Sequence, residues 1–491
     1  MTAPRMYGRW ERPRSAGFFG LTWATSMLGL ALVIAVMVTF MATRSLTSTG
    51  TVLAAAAVVF VPLAVPIGGR TGWEYLALRG QYVWARGRGE PLYRAGRFAR
   101  IPGAARLPGL LADSRLSEYE TPGGRRFALV HVRRTDHFTV IVRVLPRGKE
   151  LVDQTQIDSW VAEFGQFLAA QSRGGEVAAV TAVTESVVET HLKQHREVAR
   201  LVRADAPEFA RTVMNQAAAD IGGVGVRLEA RIAITYRAIG KGRVRRDAAE
   251  QAREIGQRLQ AVLSQLARAG LPATPLEGWE VLGLVRSRYD LAAQRDIEAA
   301  GRKLTDTQTW DSVGPVAHDD RWDHYLHDGG RSITWEMDAA PRGAVIETVL
   351  EELLRPRADV PRKRVAIVYR LHSAAEAADI VDADYRDALA AEQTERGMAS
   401  AAASIRTDNT RASRHEQASG AGLTRVGALV TITDTLDADL PGIDNSAKTM
   451  AAASRLSLRR CYGTQAATFA ASLGIGVILP EHSSLPRWGT P

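Results

Sequence analysis

Two glycine–lysine pairs, Gly148-Lys149 and Gly240-Lys241, come nearest to the residue pattern of nucleotide chemistry. A phosphate-binding loop reads G-x-x-x-x-G-K-[ST]: backbone amides and the lysine hold the phosphates, and the final hydroxyl holds Mg²⁺. Glu150 and Gly242 stand at the hydroxyl position here. The sequence therefore predicts that the chain does not hydrolyse ATP by this route.

A glycine-rich run at residues 222–225 is the second pattern of this kind. A dinucleotide-binding loop follows a strand and opens a helix, because its glycines let the backbone approach the pyrophosphate at the helix N-terminus. This run instead precedes a predicted strand. We expect a turn and no bound nucleotide.

His191 and His195 have the i, i+4 spacing of two zinc ligands on one helix face. The zinc-protease pattern also needs a glutamate after the first histidine as general base. Leu192 stands there instead. A solvated helix face without metal is the prediction.

Residues 317–328 hold the densest set of possible ligands, with three histidines and four aspartates. Such side chains can bind a metal, but ligand types alone do not fix the geometry that a site needs. Trp322 and Tyr325 within the run suit packing. We expect helix capping and turn formation before a strand that begins at Arg331. The sequence thus predicts no catalytic residue, no cofactor, no metal and no enzyme.

Two apolar runs near the N-terminus determine where the rest of the chain lies relative to a membrane. Residues 21–41 are long enough for a helix to cross a bilayer, which takes about 20 residues. Residues 51–67 are nearer the short limit, and the link between the runs can make one turn. A signal peptide is the competing interpretation of the first run, but its apolar stretch is too long and a second run follows at once. We expect a transmembrane hairpin within residues 1–69.

Arginines set the expected orientation. They lie before the first run and in large number after the second, whereas the link holds only Arg44. Positive residues stay on the cytoplasmic side, so both termini should be cytoplasmic in a multi-pass protein of the inner (plasma) membrane. A basic connector spans residues 70–106, from Arg70 to Arg106. Anionic lipid attracts such a segment by about 1 kcal/mol per arginine.

Composition adds limits of its own. The chain has 491 residues, of which 46% are hydrophobic and 23% charged, ordinary proportions for globular domains. The net charge of +9 lies largely beside the predicted membrane, so lipid is a better partner for it than nucleic acid. Cys461 is the single cysteine, which excludes an intramolecular disulfide and fits a reducing cytoplasm.

The soluble part predicts an α+β fold in two domains. In residues 107–302, a β-hairpin at 127–132 and 138–144 leads into alternating helices and strands. Strands are predicted at 177–188 and 225–239. Helices are predicted at 153–170, 207–220, 247–269 and 278–301.

Residues 303–491 form the second predicted domain. Strands at 331–338, 364–371, 424–434 and 475–479 and helices at 342–354 and 445–460 give two βαβ units, a ferredoxin-like arrangement. An alanine-rich, proline-free segment at residues 373–417 interrupts them. It predicts a projecting helical hairpin, which is either a partner-binding element or a flexible insertion.

Several short strings resemble the membrane component of actinobacterial conjugative, type IV secretion-like systems. They are Tyr7-Gly8-Arg9-Trp10, Pro13-Arg14-Ser15, residues 69–74, Leu92-Tyr93-Arg94, residues 107–111, residues 127–131, Val152-Asp153-Gln154 and Trp322-Asp323-His324-Tyr325. In that family the two-helix segment is similar to the PrgI-like inner-membrane subunit. The soluble part is similar to the N-terminal, non-ATPase domain of the secretion ATPase.

The resemblance implies a non-enzymatic scaffold that docks a separate secretion ATPase and other channel subunits at the cytoplasmic face. It is compatible with several copies in a ring. No catalytic residue carries over, because the chain stops at Pro491, where a motor domain would begin. Three alternatives remain open. They are a subunit of the type VII secretion membrane complex, a membrane-anchored enzyme whose polar constellation is not evident in the sequence, and a passive membrane anchor for a regulator.

Overall fold

The structure is a computed structural model whose described part falls into two compact units. We name them the hairpin unit (residues 9–90, 378–418 and 488–491) and the sheet unit (residues 1–8, 91–377 and 419–487). The described residues are 5–8, 23–67, 70–99, 103–148, 151–203, 205–220, 225–238, 246–341, 343–360, 362–394, 401–418, 420 and 422–482.

Two helices, α1 (Trp23–Thr43) and α2 (Leu46–Ala64), begin the hairpin unit. They pack against each other, with Gly29 of α1 beside the ring of Phe60 on α2. The turn between them consists of Arg44 and Ser45. The Ser45 hydroxyl accepts a hydrogen bond from the amide of Ser48 and caps α2. The second helix therefore begins before the predicted span at 51–67.

Helix α3 (Gly72–Gly87) follows a two-residue ribbon, β1 (Pro66–Ile67) and β2 (Arg70–Thr71). Thr71 and Glu74 form a capping box at its start, with each side chain bonded to the other's backbone amide. The indole of Trp73 donates to the carbonyl of Val59 at 2.7 Å. These bonds fix where the basic connector leaves α2.

The alanine-rich segment forms two helices, α12 (Ala374–Thr394) and α13 (Ala401–Ala418). Except for the first turn of α12, both belong to the hairpin unit. Arg414 lies 2.8 Å from Asp382 and over the ring of Tyr385, so the two helices contact each other. The helical content predicted for residues 373–417 is therefore present.

The described strands of the sheet unit form one 13-stranded sheet in which every pairing is antiparallel. They are β3 (Leu92–Arg94), β4 (Ser114–Glu120), β5 (Arg126–Val132), β6 (His137–Val144), β7 (Val177–Val188), β8 (Val226–Arg237), β9 (Ala273–Pro275), β10 (Ala317–Asp320), β11 (Tyr325–His327), β12 (Gly330–Ala339), β13 (Lys363–Leu371), β14 (Thr424–Thr435) and β15 (Ser457–Arg460). Their order is β3-β10-β11-β12-β14-β13-β7-β8-β6-β5-β4, with β15 beside β12 and β9 beside β6.

The helices of the sheet unit lie between these strands. They are α4 (Gln154–Ser172), α5 (Leu192–Leu201), α6 (Glu208–Asp220), α7 (Ala248–Arg268), α8 (Gly278–Tyr289), α9 (Gln294–Ala300), α10 (Leu304–Thr307), α11 (Glu351–Leu354), α14 (Leu440–Ala453) and α15 (Gln465–Ser472). Amphipathic spacing and caps explain the long ones. In α7, for example, Asp247 accepts a hydrogen bond from the amide of Glu250, and Gly270 ends the helix at a positive φ.

The strand order contains a structural repeat that the sequence did not indicate. The elements β4-β5-β6-α4-β7-β8-α7-β9-α8 recur as β10-β11-β12-α11-β13-β14-α14-β15-α15, with the same neighbours in the sheet. Each repeat carries a helical insertion at the same place: α5 and α6 between β7 and β8, and α12 and α13 between β13 and β14. The equivalent strands β7 and β13 pair antiparallel with each other. The two repeats are thus joined as in an isologous dimer interface.

Equivalent hydrogen bonds within each repeat show which residues of the two repeats correspond. Thr139 lies opposite Thr235 in the first repeat, and their hydroxyls are 3.0 Å apart. Ser332 lies opposite Thr433 in the second, with the hydroxyls 2.8 Å apart.

The backbone gives the same alignment. Two residues beyond Thr139, the carbonyl of Ile141 accepts from the amide of Leu276 at 2.9 Å. Two residues beyond Ser332, the carbonyl of Thr334 accepts from the amide of Cys461 at 3.0 Å.

The two faces of the sheet are covered differently. On one face, α4 and α7 cover a core of the first repeat, to which Leu371 of β13 is added, and α11 and α14 cover a separate core of the second. On the other face, α8 and α15 cover one core that contains Val183 and Ala233 as well as Ala366 and Leu429. This shared core and the β7–β13 pairing hold the repeats together.

Several sequence predictions differ from the structure. Of the helix predicted at 342–354, a 3₁₀ turn at Glu347–Leu350 and the short α11 are present. Residues 278–301 form α8 and α9, separated by a break at 290–293. The helix predicted at 445–460 ends at Ala453, and β15 follows it. Strands also lie on both sides of the predicted domain boundary at residue 303, in the same sheet.

The strand predicted at 475–479 is absent. Those residues are buried but have no strand partner among the described residues, and Leu479–His482 is a short 3₁₀ turn. Gly474 and Gly476 flank Ile475 with positive φ angles, which interrupt an extended chain. A Cβ at Gly476 would lie 2.3 Å from the Thr139 hydroxyl. Close packing against the sheet therefore replaces pairing.

Candidate functional site

The glycine-rich and glycine–lysine patterns fall mostly outside the described residues. Lys149, Glu150 and residues 221–224 and 239–245 are not described. The predictions made for them stay predictions.

The structure does not place the two histidines on one helix face. His191 precedes α5 in a left-handed conformation with φ of 56°, and its carbonyl accepts from the amide of His195 at 3.0 Å. A residue outside the helix does not follow the helical periodicity of side-chain directions. The expectation of a shared helix face is therefore wrong, and the pair has no zinc-protease geometry.

The polar run at 317–328 forms the β10–β11 hairpin, whereas the sequence predicts a capping and turn segment there. Its histidine His327 is buried, with Nδ1 2.6 Å from the carbonyl of Tyr289 and Nε2 2.7 Å from the hydroxyl of Ser332. Burial lowers the pKa of His327 to about 4 although the carbonyl contact opposes this, so the ring is neutral at physiological pH. Since a carbonyl only accepts, Nδ1 carries the proton and Nε2 accepts from Ser332.

Two aspartates of the hairpin act as backbone acceptors. The half-buried Asp320 accepts from the amide of Ala466 at the start of α15, at 3.0 Å. Asp328 accepts from the amides of Val316 and Ala317. Burial raises the pKa of Asp320 to about 7 and also raises the pKa of Asp328. Within the described part of the chain, no group of three His, Cys, Asp or Glu side chains could hold a metal ion.

The main polar constellation of the sheet unit lies elsewhere, under α8 at the β7–β13 pairing. Glu185 of β7 is the centre of this buried cluster. Its carboxylate lies 2.8 Å from Nη1 of Arg231 on β8, 2.8 Å from Nε of Arg288 on α8 and 3.5 Å from Nε of Arg364 on β13. All four side chains are nearly inaccessible to solvent. Four elements distant in sequence thus converge on one carboxylate.

Further bonds anchor the arginines. Arg231 also donates to the carbonyl of Leu473, and Arg288 donates to Glu229 at 2.7 Å. The guanidinium of Arg364 lies 4.8 Å from the centre of the Phe469 ring on α15, a cation–π contact. The cluster therefore joins both repeats and the helices above them.

Charge balance determines the protonation states. Burial alone would raise the pKa of Glu185, but Arg288, Arg364 and Arg231 outweigh it and hold the pKa well below its usual range. Burial lowers the pKa of Arg364 to about 10 against the opposing effect of Glu185. All members are therefore charged near neutral pH.

Sequence reasoning missed this cluster. A signal was present, since Glu185 interrupts the apolar run of β7 and Arg231 interrupts that of β8. A charged residue at an inward position of a predicted strand indicates a buried partner. The partners themselves depend on strand pairings that periodicity does not reveal.

The hairpin unit offers a functional surface of a different kind. Residues Leu46–Leu63 of α2 form a helix long and apolar enough to cross a membrane, and none of it is buried. The apolar part of α1, Met27–Thr43, is shorter than that limit. Among the described helices one is thus a candidate span, so a pair of spans is not established.

Comparison with known proteins relates the N-terminal part of the chain to a family. Residues 14–74, which include this helical hairpin, match the model of a family described as a domain of unknown function (DUF8461). No curated protein matches the chain. The family match covers the N-terminal segment alone.

Proposed function

We propose that the chain is a non-enzymatic scaffold of the inner membrane, anchored by the α1–α2 hairpin with both termini cytoplasmic. The observation that carries this proposal is the apolar, unburied surface of α2. A contiguous apolar surface of that size is costly in water and marks contact with lipid or protein. The neighbouring α1, with exposed Val33 and Met37, extends this surface.

Arginine placement supports the orientation. The turn between the helices holds Arg44, whereas the segments before α1 and after α2 are arginine-rich. This asymmetry is typical of a hairpin whose turn faces away from the cytoplasm. The connector that begins at Arg70 would then lie along anionic headgroups.

The sheet unit is the proposed docking platform. We interpret each repeat as a ferredoxin-like βαββαβ unit, since the orders β9-β6-β8-β7 and β15-β12-β14-β13 match that arrangement. Sequence resemblance suggests a type IV secretion or conjugation machine and a separate ATPase as partner. In this proposal, α12 and α13 are the partner-binding arm.

Cysteine labelling tests the anchor. Cys461, the single cysteine of the chain, is buried, so the unmodified protein gives little background. In intact cells an impermeant maleimide should label Thr47→Cys, beside the turn. It should label Ser117→Cys, on the exposed side of β4, only after permeabilisation. Equal labelling of both, or release of the protein from membranes by alkaline carbonate, contradicts the proposed topology.

Replacing residues 378–418 with a Gly-Ser linker tests the arm. Membrane insertion should be unchanged, and co-purification with the proposed secretion ATPase should fall. The matched control replaces α6, in the equivalent insertion of the first repeat, and should retain the ATPase. If the arm variant co-purifies as well as the unmodified protein, the arm does not bind that partner.

A further inference from the structure

A small cavity lies beside the buried cluster, where the two repeats meet. Glu185 of β7 lines it from the first repeat, and Arg362 and Arg364 of β13 line it from the second. Arg288 of α8 lines it from above, together with Thr431 and Thr433 of β14.

Its volume restricts what can bind. The cavity measures about 10 Å³, and a cavity needs roughly 10–15 Å³ to hold one water. A phosphate, a carboxylate ligand or a nucleotide is too large. Only a single particle near the size of a water molecule fits.

The lining carries an excess of positive charge. Three guanidinium groups face one carboxylate, and Glu185 is already shared with Arg231, which lies outside the lining. The nearby carboxylates are Glu229, bonded to Arg288, and Asp434, close to Arg362.

The buried guanidinium of Arg364 has N–H groups that donate no hydrogen bond to the described residues. Its Nε and Nη1 make no hydrogen bond within the described part of the chain, and the side chain is only 3% exposed. A buried donor without a partner typically costs about 1–3 kcal/mol. An acceptor in the cavity would remove that cost.

We propose that the cavity binds one chloride ion, held by Arg288, Arg362 and Arg364, and that this ion links the two repeats. A water molecule could accept hydrogen bonds from Arg364, but it would leave the guanidinium groups of the lining to be balanced by Glu185 and by carboxylates outside the lining. A halide supplies both an acceptor and a negative charge in a single atom. The inference does not depend on the proposed scaffold function.

Thermal unfolding of the full chain in detergent tests the proposal. Chloride replaces gluconate at constant ionic strength, since gluconate is too large for the cavity. The midpoint should rise in proportion to the logarithm of chloride concentration once binding saturates, because the ligand stabilises only the folded state. Bromide should act similarly. A midpoint that is the same in chloride and gluconate overturns the proposal.

Two variants locate the effect. Arg364→Gln should abolish the chloride-dependent shift. Arg227→Gln should keep it, because Arg227 pairs with Glu189, Glu229 and Glu298 and does not line the cavity. An equal shift in both variants excludes this cavity as the site.

Anomalous diffraction from bromide-containing crystals of the unmodified protein gives a readout that does not depend on any variant folding. A peak in the cavity supports the proposal. Ordered density there without anomalous signal identifies water and overturns it.

Discussion

The two repeats share strand order, register and equivalent hydrogen bonds, yet they differ at two aligned strand positions where the first repeat buries charged side chains. The register aligns Glu185 with Val368 and Arg231 with Leu429. The fold thus accepts apolar side chains where the first repeat buries charges. Replacing a buried ion pair with well-packed apolar residues is often neutral or stabilising. The fold itself therefore does not require the charged cluster.

The location of the charged cluster explains its presence better than membership of one repeat does. The charged members approach one another where β7 meets β13, and the arginines that complete the cluster come from α8 and from the other repeat. Two repeats that meet edge to edge in one sheet could pair in several registers if the contact were purely apolar. A carboxylate that must meet three arginines penalises every other register. We infer that the cluster fixes how the repeats are joined.

The largest expected effect follows from removing the central carboxylate. Glu185→Gln keeps the shape of the side chain but leaves Arg231 and Arg364 without a carboxylate partner and Arg288 with Glu229 alone. It should therefore lower the free energy of unfolding by about 3–5 kcal/mol. Chemical denaturation of the full chain in detergent measures this.

Val368→Ala, at the equivalent position of the second repeat, is the control and should cost clearly less. A matching loss in the two variants would mean that the charge at Glu185 has no special role. The pKa of Glu185 is lowered in the folded state, so its contribution is complete above its unfolded pKa and is lost as pH falls through the folded pKa. The Gln variant should lack this acid dependence.

Phe469→Ala tests the shared face. This ring is fully buried and contacts Tyr289 of the first repeat and Tyr325 of the second. Its truncation should cost about 3 kcal/mol or more. In hydrogen exchange, protection should fall in both repeats. Leu259→Ala, in the core under α7, is the control, and its largest loss of protection should lie in the first repeat. Identical exchange maps would contradict the division into shared and separate cores.

Asp320 gives a smaller, pH-dependent effect. It is equivalent to Leu116 of the first repeat, so a charged residue again corresponds to an apolar one. Its pKa of about 7 in the folded state exceeds the ordinary value of 3.8, so the folded state binds the proton more tightly. Its contribution to stability is complete below the unfolded pKa and is lost as pH rises through about 7.

Asp320→Asn keeps the acceptor for the amide of Ala466 but cannot ionise. At pH values above 7 it should be more stable than the unmodified chain by on the order of 2 kcal/mol, with no gain under acidic conditions. Unfolding measured across this pH range checks the sign. A variant whose stability runs parallel to the unmodified chain at every pH would show that Asp320 titrates normally.

Local elements could be read from the sequence, whereas their assembly could not. The strand predicted at 177–188 has the bounds of β7, and α4 and α7 lie where apolar spacing and Asp caps predict them. The single sheet depends on β7 pairing with β13, some 180 residues away, which no periodicity encodes. The apolar run at 475–479 suggested a strand because its length and composition suit one, but its flanking glycines turn the chain.

The candidate site was missed for the same reason. Glu185 and Arg231 could be recognised as charges inside apolar strands, but Arg288 lies on a helix and Arg364 in another repeat. The helical hairpin of α1 and α2 is the reverse case, because its two apolar runs are evident from composition and the structure adds the turn at Arg44 and Ser45. Whether both helices cross a bilayer stays a prediction.

The smallest expected effect tests the alignment of the repeats directly. Thr139→Val keeps the side-chain shape and removes one of two bonded hydroxyls, so it should cost about 1 kcal/mol. Ser332→Ala removes the equivalent hydroxyl, but Ser332 also donates to His327. Its loss leaves a buried ring nitrogen without a partner and should cost more, about 1–3 kcal/mol.

A double-mutant cycle separates the bond from its surroundings. Coupling between Thr139 and Thr235 should match coupling between Ser332 and Thr433, since each pair makes one hydroxyl–hydroxyl bond at the same place in its repeat. The excess cost of Ser332→Ala should disappear when His327→Phe is present, because no ring nitrogen then remains to be satisfied. Unequal coupling energies in the two pairs would contradict the equivalence of these hydroxyl pairs in the two repeats. A persistent excess would mean instead that Ser332 contributes through packing, and that the hydrogen-bond chain from Thr433 through Ser332 to His327 does not act as one unit.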